Sequence, residues 1–190
     1  MENLAVKAKM QTWNSKVEEY IRHSELLDIA RLEQALDYQQ DSSQRLETIL
    51  LNSGWIDDEQ LSTLYCSVLQ CPLFQGSVSV AEAELSAYRK LNVEFLLEQG
   101  FAPVALEGQQ LVVALSNPHS QEARDYLRLS DYQVRFEVVS YKEFELLAEQ
   151  CRALLHDQSE ISVAGDNVAA LKELALGAPT VNLVNSLINK

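Results

Sequence analysis

The chain has 190 residues, with 15 Lys and Arg against 28 Asp and Glu, so its formal net charge is −13. A charge of that sign repels phosphate backbones and anionic lipid surfaces, which excludes nucleic acid as the expected partner. Its apolar runs, such as residues 111–115, are far shorter than the ~18 residues of a membrane span, and residues 1–7 lack the apolar core of a secretory signal. Direct membrane insertion is therefore not expected, and a reducing, cytoplasmic setting is.

From Gln11 to about Gln70 the apolar residues recur at helical spacing, as in Val17, Tyr20, Ile21 and then Ile29, Leu32, Ala35, Leu36. The pattern predicts helices over about 11–23, 28–39, 43–53 and 57–69, the last opened by Asp57, Asp58 and Glu59, whose charge suits a helix N-terminus. Adjacent carboxylates such as Asp57 and Asp58 point different ways on a helix and read as a solvated face. Laying Lys16 over Arg45 reveals an internal repeat with an offset of 29 residues. Val17 falls on Leu46, Ile21 on Leu50, Leu26-Leu27 on Trp55-Ile56, Leu32 on Leu61 and Ala35 on Leu64. Each copy reads as a helix, a tight turn and a second helix, and two such hairpins stack into a small bundle.

The polar connection at 75–79 marks a boundary, after which the pattern changes. Residues 83–99 read as a helix interrupted near Asn92 and ended by Gly100. Two β-prone runs, 101–106 and 110–115, flank Glu107-Gly108-Gln109 and form a hairpin, with Pro103 placing the first run at a sheet edge. Ser116-Asn117-Pro118 then stops the strand and starts a helix through Leu127, residues 132–139 alternate as a third strand, and a final helix runs from Ser140 or Tyr141 to about Leu155. The fold class is α+β: an N-terminal helical-hairpin repeat subdomain (1–74) followed by a small three-stranded sheet with helices (75–155). Residues 156–190 read as a flexible linker over 156–165 and an apolar-periodic tail over 168–190, with first proteolytic cleavage expected within 156–167.

Reactive groups do not converge anywhere in this sequence. Phosphate-cradle, nucleophile-elbow and dinucleotide motifs are missing, and His23, His119 and His156 are scattered in polar settings without ligand-pair spacing. Cys66, Cys71 and Cys151 match neither a zinc nor a redox spacing and read as core residues. Neither catalysis nor a metal or other cofactor is expected of these residues.

Three segments carry a family resemblance. The run from Arg45 through Leu50, Leu51, Gly54, Trp55 and Ile56 to Leu61 resembles the RLG-x-x-LL-x-x-G-LI repeat of the N-terminal domain (GspE N-terminal, or MshEN, type) of type II secretion and type IV pilus assembly ATPases. Residues 109–118, with Leu111-Val112-Val113-Ala114-Leu115-Ser116-Asn117-Pro118, look like that family's G-x-x-LVVAMSDP segment. Residues 178–188 resemble the AP-x-V-x-LVN-x-LI stretch that opens the next part of those ATPases, so the chain looks like the N-terminal piece of a longer protein, ending ahead of its ATPase core.

The resemblance implies a non-catalytic, cytoplasmic module, peripheral at the inner membrane, that docks a motor ATPase to the cytoplasmic domain of an inner-membrane secretion or pilus platform protein. The ATPase core of its own longer chain would be the other partner. Some family members bind cyclic di-GMP through the helical repeats, which would make Lys16, Gln39, Arg45, Leu46 and Gly54 the candidate ligand residues here. The sequence departs from that pattern: Glu47 and Glu18 stand where the family has its first glycine, Glu25 replaces the second glycine of copy one, Lys16 replaces an arginine, and Val68 replaces a glutamine. A carboxylate at a close-approach position adds bulk and repels a dianionic ligand. Arg45 reads equally as an exposed arginine at a helix start, and Gly54 as a turn glycine.

Overall fold

The computed structural model describes residues 2–42 and 44–156, with side-chain environments from Thr12 to Leu155. The tail expected over 168–190 and, apart from His156, the linker over 156–165 lie outside the described residues. Residues Met1–Cys151 form one compact unit.

Helices α1 (Glu2–His23), α2 (Ile29–Asp41), α3 (Leu46–Asn52) and α4 (Asp58–Leu69) open the chain. The first begins well ahead of the expected Gln11. The 29-residue repeat is visible in the caps. Asp28 starts α2 by accepting from the Arg31 amide at 2.9 Å, and Asp57 starts α4 by accepting from the Gln60 amide at 2.8 Å, with the Gln60 side chain reciprocating. Three of the paired positions share burial, with Val17 and Leu46, Ile21 and Leu50, and Ala35 and Leu64 all in the core, whereas Leu32 is buried and Leu61 half-buried, and Ile56 is buried and Leu27 half-buried. Gly54, at φ +65°, closes α3 through bonds from its own amide to the Leu51 carbonyl and from the Trp55 amide to the Leu50 carbonyl. This left-handed turn, which suits glycine, redirects the chain into α4.

The sheet has four strands, not three. A two-residue strand β1 (Ser79–Val80) pairs parallel with β2 (Phe101–Glu107); β2 pairs antiparallel with β3 (Gln110–Leu115); and β3 pairs parallel with β4 (Gln133–Val138), in the order β1-β2-β3-β4. Two residues are too few to show an alternating pattern, so β1 reads as part of the polar connection. It also makes β2 an internal strand, against the edge position expected from Pro103. The proline is accommodated because β1 reaches only Ala105 and Leu106, the register shifts between Pro103 and Ala105, and the Pro103 carbonyl is taken by the Tyr88 hydroxyl at 2.8 Å.

The expected helix over 83–99 is three pieces: a 3-10 turn at Glu82–Glu84, α5 (Leu85–Tyr88) and α6 (Val93–Glu98), the last capped by Asn92. Gly100, at φ +81°, ends it; an added Cβ would lie 2.8 Å from Cβ of Asn117. Helix α7 (Gln121–Arg128) begins later than Pro118, with Ser120 as its cap, and α8 (Tyr141–His156) follows β4. Phe144, Leu147, Ala148 and Cys151 of α8 are buried, as are Phe101, Val104, Leu111, Val113 and Leu115 of the sheet. Of the three cysteines read as core, only Cys151 is buried; Cys66 and Cys71 are half-buried because they flank the exposed C-terminal turn of α4, where Gln70 adopts φ +55°.

Candidate functional site

The candidate ligand residues lie on the repeat helices in separate settings. Lys16 on α1 is exposed and, with Glu19 and Tyr20 of its own helix and residues 67–70 at the end of α4, lines a surface cavity of about 370 Å³ that includes Val68. Gln39 on α2 donates from Nε2 to the Gln44 carbonyl at 3.0 Å, bracing the approach to α3. Arg45 is the capping residue of α3 and makes no side-chain cap bond. Its guanidinium acts on the Tyr65 phenol, opposing the upward push that burial and the Glu47 carboxylate give that group. Leu46 is fully buried, and Gly54 has open space where a Cβ would stand.

Glu47 is the unexpected centre of this region. Its helical phase, next to Leu46 and three residues before Leu50, turns it into the core instead of toward a ligand, and it is only 1% exposed. Its Oε1 accepts from Trp13 Nε1 of α1 at 2.9 Å and lies 2.8 Å from His119 Nε2, while Oε2 is buried with no partner among the described residues. The His119 ring meets the edge of Trp13 with centroids 4.8 Å apart, and Tyr65 of α4 stands 6.1 Å from it on another side. His119 comes from the loop between β3 and α7, so this cluster fastens α1, α3 and α4 to the sheet layer. The histidine read as one of three in polar settings is thus a partly buried hydrogen-bonding group. Its partner is 72 residues away, beyond the reach of any local pattern.

A second fastening corrects the reading of Asp57 and Asp58 as a solvated pair. The Asp58 carboxylate accepts from the backbone amides of Tyr141 at 2.9 Å and Lys142 at 3.1 Å, capping the start of α8 from 83 residues away. A carboxylate there satisfies amides that the helix leaves free and complements its positive end. A third fastening is main-chain: Leu73 bridges Val138 of β4. Among the described residues no three of His, Cys, Asp and Glu gather into a metal-sized cluster, and no helix is long and apolar enough to cross a membrane.

Comparison with known proteins places this arrangement. No curated protein sequence matches the chain. The structure of MshE with cdg superposes with a TM-score of 0.59 at 22% identity, covering 70% of this chain and 96% of that one. The N-terminal domain of XpsE superposes with a TM-score of 0.55 at 22% identity, covering 72% and 94%. Residues 69–158 match the MshEN domain. The match starts at the last residue of α4 and takes in the whole sheet with α5 to α8. Residues 69–158 thus resemble the MshEN domain, and the described chain has the fold shared by MshE and the N-terminal domain of XpsE.

Proposed function

We propose that this chain is the non-catalytic, cytoplasmic N-terminal interaction domain of a type II secretion or type IV pilus assembly ATPase, and that it docks the motor to the cytoplasmic domain of an inner-membrane component. The reading is carried by the MshEN-like region at 69–158, joined to a helical layer that is fastened to the sheet at Glu47–His119 and at Asp58. A docking element has to pass force between partner and motor, and a helical layer tied to the sheet by buried polar contacts is suited to it. The motor itself would be the ATPase core of the longer chain.

A regulatory reading, in which the repeats bind cyclic di-GMP, has one observation in its favour: MshE, which shares the fold, has been solved with cdg. Two features of the repeats weigh against it. Glu47 stands where a glycine would let the ligand approach, and Glu18 in the other copy is a carboxylate paired with Arg22 at 2.8 Å. Glu18 puts side-chain bulk and negative charge on the repeat surface, and Glu47, although its carboxylate turns inward, gives that position a Cβ that a glycine would not have. Immobilising the chain and challenging it with the cytoplasmic domains of candidate inner-membrane components tests docking; failure with every one of them overturns it. Calorimetry with cyclic di-GMP should show no binding at tens of micromolar, on the order of −6 kcal/mol of binding free energy. Low-micromolar affinity there would establish the regulatory reading, with Lys16, Gln39, Arg45, Leu46 and Gly54 as its first residues to mutate.

A further inference from the structure

We propose that Cys66 and Cys71 are a reversible redox pair, oxidised by hydrogen peroxide to an intramolecular disulfide that clamps the turn by which the chain leaves α4 for the sheet. On a straight helix, positions five apart diverge by about 140° around the axis, so the spacing alone gives no sign of contact. The end of α4 changes that. Gln70 takes a left-handed conformation, with φ 55° and ψ 39°, and the Cys71 amide turns back to donate to the Cys66 carbonyl at 3.1 Å. This six-to-one bond marks the helix ending in which the residue after the left-handed one packs against the residue that opens the last turn. A main-chain bond of that length draws its two Cα atoms to about the 4.4–6.8 Å that a disulfide spans. The Cys71 thiol also folds back over the helix end, donating from Sγ to the Leu69 carbonyl at 3.6 Å.

Cys66 and Cys71 are half-buried and open to a small oxidant, whereas Cys151 is buried with its Sγ bonded to the Pro103 carbonyl. Burial pushes both thiols up, and at Cys66 the neighbouring Cys71 adds to the push, so the two sulfurs lie within electrostatic range of each other. At Cys71 the Arg124 guanidinium of α7 opposes the rise, while Glu137 of β4 adds to it. Cys71, with a cation beside it, is therefore the sulfur oxidised first. Its thiolate attacks one peroxide oxygen: the S–O bond forms, the O–O bond breaks, and the departing hydroxide takes up the thiol proton as water, leaving a sulfenic acid. The Cys66 thiolate attacks that sulfur; the S–S bond forms, the S–O bond breaks, and a second hydroxide leaves as water with the Cys66 proton. Two thiols thus lose two electrons and two protons, and one hydrogen peroxide becomes two waters. A dithiol reductant reverses the step by exchange. The disulfide closes a ring around residues 67–70, which wall the cavity beside Lys16, Glu19 and Tyr20. It also fixes Cys71 next to Pro72, whose carbonyl accepts from the Val138 amide of β4, so oxidation stiffens the connection between the helical layer and the sheet.

Mass spectrometry of the chain after peroxide treatment tests this. The reduced chain is exposed to hydrogen peroxide at about 0.1–1 mM, alkylated and cut with trypsin, which leaves both cysteines in peptide 46–89 and Cys151 in peptide 143–152. Peptide 46–89 should lose two hydrogens and take no alkyl group, and should take two after dithiothreitol, while peptide 143–152 is alkylated throughout. Amide exchange across 67–74 should slow at least about threefold in the oxidised chain. In C66S the two-hydrogen loss should vanish, and dimedone should trap the Cys71 sulfenic acid at least about threefold faster than it traps Cys66 in C71S. In glutathione with about a hundredfold excess of the reduced form, the parent chain should carry free thiols. Two alkyl groups on peptide 46–89 after peroxide, a link to Cys151 or to a second chain, unchanged exchange, equal or reversed trapping rates, or a pair already oxidised in that glutathione buffer would each overturn the proposal.

Discussion

Replacing His119 with alanine perturbs the contact that joins the helical layer to the sheet. Glu47 Oε1 takes one bond from Trp13 at 2.9 Å and one from His119 at 2.8 Å, and Oε2 has none among the described residues. Removing the imidazole leaves a 1%-exposed carboxylate with a single donor. Leaving a buried acceptor short of a donor costs about 1–3 kcal/mol, more when the group is charged. The Trp13 donor survives and the imidazole is 15% exposed, but the lost edge contact with Trp13 adds to the cost, so the upper end, about 3 kcal/mol, applies. Glu47→Gln keeps an acceptor but turns Oε2 into a buried amide donor without an acceptor, costing about 1–3 kcal/mol. In the double variant no carboxylate is stranded, so the two losses should fall short of additive by about 1.5–2 kcal/mol. Urea unfolding of the four proteins, followed by far-ultraviolet circular dichroism at one pH, measures this. With a slope of about 1–3 kcal/mol per molar, H119A should lower the midpoint by about 1–3 M. Additivity within about 0.5 kcal/mol, or a loss under about 1 kcal/mol for H119A, would refute the reasoning.

Asp58→Ala should destabilise by about 1–2 kcal/mol and speed amide exchange in the first turn of α8, because two amides lose their acceptor; unchanged exchange at Tyr141 and Lys142 would show that the cap contributes nothing. Gly54→Ala should cost about 1–2 kcal/mol for the left-handed backbone alone, whereas Gly100→Ala, with Asn117 Cβ at 2.8 Å, should cost at least about 1 kcal/mol more, and equal thermal shifts would contradict the packing at Gly100. Burial pushes the Cys66 and Cys71 thiols and the Tyr65 and Tyr88 phenols up. The folded state therefore holds these protons more tightly than the unfolded one. Stability should be fully present below about pH 8.5, fall as pH rises past the ordinary thiol value, and fall further past about 10, where unfolded tyrosines ionise. A urea midpoint that stays flat or rises between pH 8 and about 10.5 would contradict that sign.

The helical repeat is legible in the sequence because each copy carries its own instructions: an aspartate cap at 28 and 57, and core residues at 17 and 46, 21 and 50, 35 and 64. The β2–β3 hairpin is equally local, since Gly108 at φ +57° sits between two β-prone runs. What joins the layers is not local. Glu47 looks like an ordinary acidic residue in a first helical turn, and only its phase between Leu46 and Leu50 signals burial, with nothing to name His119 as its partner. Asp58 gives no sign at all, because its own helix is already capped by Asp57 while its carboxylate serves α8. Strand β1 is hidden by its length and by needing β2 to define it. Of the candidate ligand residues, Arg45 and Gly54 occupy the helix start and the turn that their neighbours predict.

Titration calorimetry of the chain with the purified cytoplasmic domain of the proposed inner-membrane component tests docking most directly. Saturable one-to-one binding with a Kd of about 10 μM or tighter is the result the account predicts; no heat and no co-migration with any secretion or pilus component, at concentrations up to about 100 μM, would contradict it.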